Sequence, residues 1–229
     1  MLTLPIREVL AATPRARIVR IDLDGHRFSY TAGQAIVAAA HGVEPRKPYS
    51  IAAAPEDAAR DGWLELLVGV DEHGRATHLP LEPGALVDVE GPFGSFTFPA
   101  NPSERRFIFI AGGTGIAPLR AMLGDALRVP GAAIGVLYSA RTADEFAYDE
   151  ELLALARAGR IELRQAATRD APPGWPGRRG RLGRMDLEPL VHDPDTLCFV
   201  CGPRSLVEEM PGLLMELGVA RERIRIEEW

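Results

Sequence analysis

Cysteine is nearly missing from this 229-residue chain, with only Cys198 and Cys201 present. Two thiols cannot build a disulfide framework, and reduced thiols fit a cytoplasmic setting. A basic surplus is missing as well. The formal net charge of -6 leaves no dense cationic face for a polyanion, which excludes a nucleic-acid binder on composition. Long apolar runs are also lacking: the stretch IFIAGGTGIAPL is short and broken by glycine and proline, so no membrane span is expected. The first twenty residues scatter Arg7, Arg15, Arg17 and Arg20 among apolar ones and lack the uninterrupted core of a signal peptide.

What is present is the balance of a globular protein. Hydrophobic residues at 46% against charged residues at 25% can bury a sizeable core, and the length suits two modest domains. Residues 6 to 98 carry short, often alternating apolar runs between turn signals, the pattern of an antiparallel all-β unit. Strands are expected at 16–23, 27–30, 46–53, 64–70, 86–90 and 95–98, with turns at Asp24-Gly25 and Glu82-Pro83-Gly84. Six such strands predict a small barrel. From Arg105 onward continuous apolar strands alternate with helical stretches, which predicts a parallel sheet with crossover helices. Its five strands are placed at 107–112, 133–140, 161–168, 196–202 and 223–229, and its helices at 118–128, 148–158, 185–190 and 205–218. The segment PANPSERR reads as a linker between domains at 1–99 and 104–229, and residues 171–184 as one long surface loop.

The strongest chemical signal is FIFIAGGTGIAPLRAML, in which a buried strand runs into Gly112-Gly113-Thr114-Gly115 and then a helix. Glycines there let a ligand approach the backbone, and the helix start offers free N–H groups to an anion such as a pyrophosphate. Pro118 occupies the place of the third glycine, so this is not the usual dinucleotide fingerprint, and spacing alone leaves open a tight turn without ligand. In the β half, Arg46, Tyr49 and Ser50 put a cation, a ring and a hydroxyl on one strand. A planar ligand stacked on Tyr49 and a tyrosine in a barrel core are both compatible with that pattern. Cys198 and Cys201 stand three apart on a strand and so face opposite sides, which argues against a shared metal.

Four motifs together resemble the ferredoxin–NADP reductase superfamily in its compact form without an iron–sulfur domain: Arg46-x-x-Tyr49-Ser50, Gly91-Pro92-Phe93-Gly94, Gly112 to Pro118, and Cys201-Gly202-Pro203. Ala32-Gly33-Gln34 is similar to a further turn of that family, with Ala32 in place of a proline. The resemblance implies a two-domain fold: an N-terminal six-stranded antiparallel Greek-key β-barrel that binds flavin, and a C-terminal Rossmann-like α/β domain with a five-stranded parallel sheet that binds NAD(P). It implies Tyr49 stacked on the flavin ring, Ser50 at its N5 edge and Arg46 on its pyrophosphate. Further cofactor contacts are implied at Ile51, Val68, Gly74, Ala76 and Thr77, with Thr77 beginning a short phosphate-holding helix. Gly113, Thr114 and Gly115 would meet the nicotinamide nucleotide's pyrophosphate, and Cys201 and Gly202 would lie near its ring. Ser50, Cys201 and Glu227 are the implied catalytic residues, and Trp229 would pack against the flavin. Arg141, Arg169, Arg179 and Arg181 follow strand ends on the side where a 2′-phosphate would sit, with Asp144 and Glu145 opposing.

The implied activity is hydride transfer from NADPH or NADH to FAD, with FMN less favoured, then single electrons to ferredoxin, flavodoxin or an oxygenase component. A monomer without metal is expected. A reductase of free flavin, and an electron-transfer subunit of a larger complex, are the competing readings.

Overall fold

The computed structural model describes residues 1–191, 193 and 195–228. The N-terminal sheet is built from β1 (Leu2–Thr13), β2 (Ala16–Asp22), β3 (Ala35–Ala40), β4 (Lys47–Ser50), β5 (Trp63–Gly69) and β6 (Leu86–Phe93), in the order β4-β3-β6-β1-β2-β5. Every pairing is antiparallel, and an isolated bridge between Ile51 and Leu66 joins the two ends into a barrel. Leu4, Ile6, Val19, Ile36, Ile51, Leu64 and Leu66 fill it.

Six strands were expected and six are found, but two differ. Residues 27–30 join no strand; Phe28 and Tyr30 pack by their side chains on the barrel core, and the Tyr30 hydroxyl donates to the Ala53 carbonyl at 2.8 Å. Residues 95–98 are likewise not a strand, because Phe96 and Phe98 turn away to pack on the second half. In their place stand β1 and β3. Arg7 and Glu8 interrupt the apolar pattern of β1, and β3 is AIVAAA, whose alanines carry little strand propensity. A helix α1 (Pro55–Asp61) was also unforeseen, although Pro55 at its start, Glu56 and Asp57 in its first turn and left-handed Gly62 (φ 81°) at its end are regular helix signals.

The C-terminal sheet contains β7 (Arg106–Gly112), β8 (Ala133–Thr142), β9 (Glu162–Asp170), β10 (Arg178–Arg179), β11 (Leu197–Gly202) and β12 (Ile224–Glu228). All pairs are parallel, in the order β10-β9-β8-β7-β11-β12. The expected count of five becomes six because the two-residue β10 lies inside the segment read as loop, too short and too flanked by glycine and arginine to signal itself. Helices α2 (Ile116–Ala126), α3 (Asp149–Arg157), α4 (Arg184–Leu187) and α5 (Arg204–Glu216) lie where the periodicity puts them. No helix among the described residues is long and apolar enough to cross a membrane.

An apolar cluster at the seam joins the two sheets. Ala16, Ala32, Ala52, Leu67, Phe96 and Phe98 from the barrel side are continuous with Phe107, Phe109, Met122 and Phe199 of the parallel sheet and α2. The Phe98 ring sits 5.0 Å from that of Phe107 and 5.8 Å from that of Phe199, and each such ring contributes about 2 kcal/mol or more by burial.

One polar cluster fastens the far side of the barrel. Asp88 on β6 is buried and accepts from Thr3 Oγ1 at 2.7 Å, His41 Nδ1 at 2.9 Å and the Gly42 amide at 2.9 Å. These donors, the Gly42 amide first, hold its carboxyl well below the usual carboxylate range. A depressed folded-state pKa adds stability that is fully present above the unfolded value of about 3.9 and fades as the pH falls through the folded one. Asp88→Asn is therefore expected to lower the melting temperature at pH 7, with the difference from wild type narrowing steadily in melts taken below about pH 4.

Candidate active site

In the parallel sheet the chain moves outward from β7 through β8, β9 and β10, then returns to the other side of β7 with β11 and β12. The strand order thus reverses between β7 and β11, and a crevice opens at their carboxyl ends, where such sheets bind ligands. Gly112 ends β7 and Gly202 ends β11. A Cβ on Gly202 would come within 3.0 Å of the Gly112 nitrogen, and one on Gly112 within 2.7 Å of the Pro203 ring, so the two strand ends meet backbone to backbone. A single 3₁₀ turn over Gly113–Gly115 follows and feeds α2. Gly113 is left-handed (φ 54°), a conformation favourable to glycine. Its carbonyl accepts from the Tyr138 hydroxyl at 3.0 Å, and that hydroxyl accepts from the Ala147 amide at 3.1 Å. Tyr138 is completely buried, and burial raises its pKa, so it remains a neutral donor that fixes the turn.

The crevice is a cavity of about 630 Å³ between the barrel and the α/β half. Gly112, Gly113 and Thr114 form its floor, while Thr13, Arg15, Asp71, Arg75 and Thr77 close it from the barrel side. Arg141, Arg169 and Arg181 line it, and among the described residues their guanidinium groups have no hydrogen-bond or ion-pair partner, whereas Arg179 is not in the lining and donates to the Ala171 and Pro172 carbonyls at 2.6 Å each. Of the acids expected to oppose them, Asp144 accepts from Thr142 Oγ1 at 2.5 Å, whereas Glu145 lines the same cavity and faces Arg15 at 3.9 Å.

On the barrel side, Arg46, Tyr49 and Ser50 are partly exposed along β4 and the residue before it. Arg46 pairs with Glu44 at 2.6 Å and Glu90 at 3.4 Å, yet its Nε is buried with no partner among the described residues. Tyr49 leans on the barrel core, and burial raises its hydroxyl pKa. Ile51 and Val68 are fully buried in that core, backbone included, so neither presents a surface to a ligand here. Gly74 and Ala76 belong to a turn organised by Asp71, whose carboxylate accepts from the His73 and Arg75 amides at 2.9 Å each. The short helix expected to begin at Thr77 is absent; residues 77–79 are a bend, held where the His78 carbonyl accepts from the Ala40 amide at 3.0 Å.

Cys201 and Gly202 are buried at the end of β11, beside Gly115. Cys201 is in register with Glu227 of β12. Burial raises the pKa of Glu227, and burial together with that neighbouring carboxylate raises the Cys201 thiol. Burial alone pushes Cys198 up to about 12. Both thiols are therefore protonated and poorly nucleophilic at neutral pH. Trp229 lies outside the described residues.

Two family models divide the chain: an oxidoreductase FAD-binding domain over residues 3–98 and an oxidoreductase NAD-binding domain over residues 109–211. Over 220 residues the sequence is 36% identical to ferredoxin–NADP reductase B of Sorangium cellulosum, covering 90% of this chain and 88% of that one. The chain belongs to the ferredoxin–NADP reductase superfamily. Its fold is also that of a solved Amycolatopsis cytochrome P450 reductase (TM-score 0.86, 25% identity, 99% of this chain and 69% of that one). A ferredoxin–NADP reductase of Neisseria gonorrhoeae solved with FAD and NADP is similar in fold as well (TM-score 0.78, 19% identity, 99% and 98% covered). As a member of this superfamily the chain is an NAD(P)H-dependent flavoprotein reductase that uses FAD, and the residues present fit those groups. The spare Arg46 Nε is a donor awaiting an acceptor, and the glycine floor of the crevice leaves its space to a ligand.

Sequence reasoning missed Arg15, Arg75 and Tyr138 in this superfamily member. Tyr138 had a signal, since a tyrosine inside the apolar run AIGVLYSA must find a partner for its hydroxyl. Arg15 and Arg75 had none, because only the fold brings those two turns to the mouth of the crevice.

Proposed function

We propose that this reductase oxidises NADPH in preference to NADH and delivers single electrons to a separate carrier protein: a ferredoxin, a flavodoxin or an oxygenase component. The observation that carries this reading is the crevice at the β7/β11 switch point, with a glycine floor on one side and unpaired arginines along its wall. Residues 1–99 are assigned to flavin and residues 104–229 to the nicotinamide nucleotide. Bound FAD supplies the conversion of a hydride into single electrons. The chain's own residues bind and orient. Arg46 takes the flavin pyrophosphate and Tyr49 stacks on the ring, with Ser50 hydrogen-bonding its edge. The turn amides of Gly113 to Gly115 hold the second pyrophosphate, and Cys201 and Gly202 leave room for the nicotinamide. Glu227 keeps a carboxyl of raised pKa near that ring. The two cysteines of these 229 residues cannot ligate an iron–sulfur cluster, which supports a separate carrier as the acceptor.

Arg141 and Arg169 are assigned to the 2′-phosphate. Charge-assisted bonds of about 1.5–3 kcal/mol correspond to roughly a tenfold to hundredfold change in affinity. The pair Arg141→Gln with Arg169→Gln should raise the KM for NADPH by about that factor and leave the KM for NADH within about threefold, measured in parallel steady-state assays.

A second reading, release of reduced flavin, draws on the pairing of Arg46 with Glu44 and Glu90, which competes with a flavin phosphate. Anaerobic absorbance titration of the flavin-loaded protein with NADPH and NADH tests the main proposal. Bleaching of the oxidised flavin, deeper per equivalent with NADPH, is expected. No bleaching with either donor would sink it, and bleached flavin that passes an ultrafiltration membrane would favour the second reading.

A further inference from the structure

Arg120 lies on α2, beyond the turn that forms the crevice floor, and projects into the seam between the two halves. Its Nη1 donates to the carbonyl of Ala52 at 2.9 Å and to Glu65 Oε1 at 2.9 Å, both in the barrel. Its Nε donates to Glu151 of α3 at 2.9 Å, and its guanidinium lies 4.3 Å from the centre of the Tyr148 ring. Glu65 is 3% exposed and completes its own set through Oε2, which accepts from Arg20 Nε at 2.7 Å. Ala52 is thus gripped twice, since its amide also donates to the Glu65 carbonyl at 2.7 Å.

The location gives this node its consequence. Ala52 follows Tyr49, Ser50 and Ile51, the segment assigned to the flavin, without a break. Arg120 is a little over one helical turn past Ile116, where α2 leaves the Gly113–Gly115 turn assigned to the nicotinamide nucleotide. One guanidinium therefore ties the strand assigned to the flavin ring to the helix whose leading turn is assigned to the nucleotide's pyrophosphate. A partly buried, multiply bonded arginine holds such a spacing more firmly than apolar contact, because losing it would leave Oε1 of the buried Glu65 carboxylate without its donor, with Arg20 alone on Oε2. Glu8 on Arg20 and Glu151 on Arg120 close the network at its two ends.

We propose that Arg120, clamped by Glu65 and the Ala52 carbonyl, is a positioning residue that sets the spacing between the barrel segment assigned to the flavin and the α2 turn assigned to the nucleotide, and thereby the rate of hydride transfer. The inference rests on the site assignments proposed above. Hydride transfer needs a near-attack geometry, and a misplacement of about 1 Å costs on the order of a hundredfold in rate.

The test compares Arg120→Gln and Glu65→Gln, which keep polar groups in place, with Glu151→Gln, which removes only the outer partner. All three are made in the full chain loaded with FAD. In stopped-flow reduction at saturating NADPH, Arg120→Gln and Glu65→Gln are expected to slow hydride transfer by about thirtyfold or more, with flavin content and the dissociation constant for NADP⁺ within about threefold of wild type. Glu151→Gln should lose less than about threefold. In the flavin-free protein, hydrogen exchange at the Ala52 amide should accelerate at least about tenfold in Arg120→Gln and stay near wild type in Glu151→Gln. Unchanged hydride transfer in a folded, flavin-loaded Arg120→Gln would overturn the proposal, as would a loss confined to flavin retention or KM. If Arg120→Gln does not fold, Arg120→Lys decides: a shorter, single-pronged cation should slow the chemical step while retaining flavin, and wild-type rates would overturn the proposal. Failure of wild type itself to be reduced would count against the proposed function and leave the exchange result as the judge of the clamp.

Discussion

Gly115→Ala is expected to lower kcat/KM for NADPH by about a hundredfold while the purified protein keeps its flavin. Gly115 has an ordinary helical backbone (φ −60°), so alanine meets no conformational barrier there. The obstacle is space. A methyl group at this position would overlap the carbonyl oxygen and carbon of Cys201 and approach the Gly202 nitrogen to 2.9 Å, all of them backbone atoms of the central strand β11. A strand paired on both sides cannot yield, so the turn must lift away from the sheet and carry the Gly113 and Thr114 amides with it. The overpacking also costs about 1–3 kcal/mol of stability, too little to unfold a typical domain. Stopped-flow reduction across a range of NADPH concentrations checks the prediction. A variant with wild-type kcat/KM would mean that this turn does not seat the nucleotide.

Gly33→Ala is expected to act on folding, lowering the melting temperature by about 10 °C. Here conformation and space oppose alanine together. Gly33 sits at φ 101°, outside the regions open to side chains, and its Cβ would overlap both the Phe96 carbonyl and the Met122 methyl. A strained backbone costs about 1–3 kcal/mol and a forced clash about as much again. Met122 can swing aside, but the Phe96 carbonyl belongs to the segment that docks the barrel on the parallel sheet. Calorimetry should show the loss, and a shift of only about 2 °C would mean that the turn relaxes without disturbing that junction.

The parallel half of the fold was legible because buried strands and amphipathic helices write their own periods into the sequence. FIFIAGGTG announced a strand, a tight turn and a helix start, and that is the crevice floor. The barrel was legible in class but not in detail. β3 is nearly all alanine and β1 carries charges, so the alternation that betrays a strand was weak in both, whereas Phe96 and Phe98 mimicked a strand while serving the seam. The site was legible where a motif is local. Arg141, Arg169 and Arg181 line the crevice as their positions after strand ends suggested, and Thr77 lines it without the expected helix. Arg120 and Arg15 were hidden, because their partners lie far away in sequence and come into reach only through the packing of the two halves. Glu65 was hidden for the same reason: a carboxylate within the apolar run WLELLVG gives no hint of two arginines waiting on either side.

The aromatic seam has a consequence for how the two sites depend on each other. Because an apolar cluster at the seam joins the barrel, which has its own interior, to the parallel sheet, loss of either half exposes that seam, and the two halves are expected to unfold together. Any ligand that binds only the folded chain then raises the population of both sites, by RT ln(1 + [L]/Kd). Bound flavin would thus also raise the population of the folded nucleotide crevice. In a cell short of flavin, the first loss would be whole molecules, removed by proteolysis of the unfolded fraction, with the survivors working at full rate.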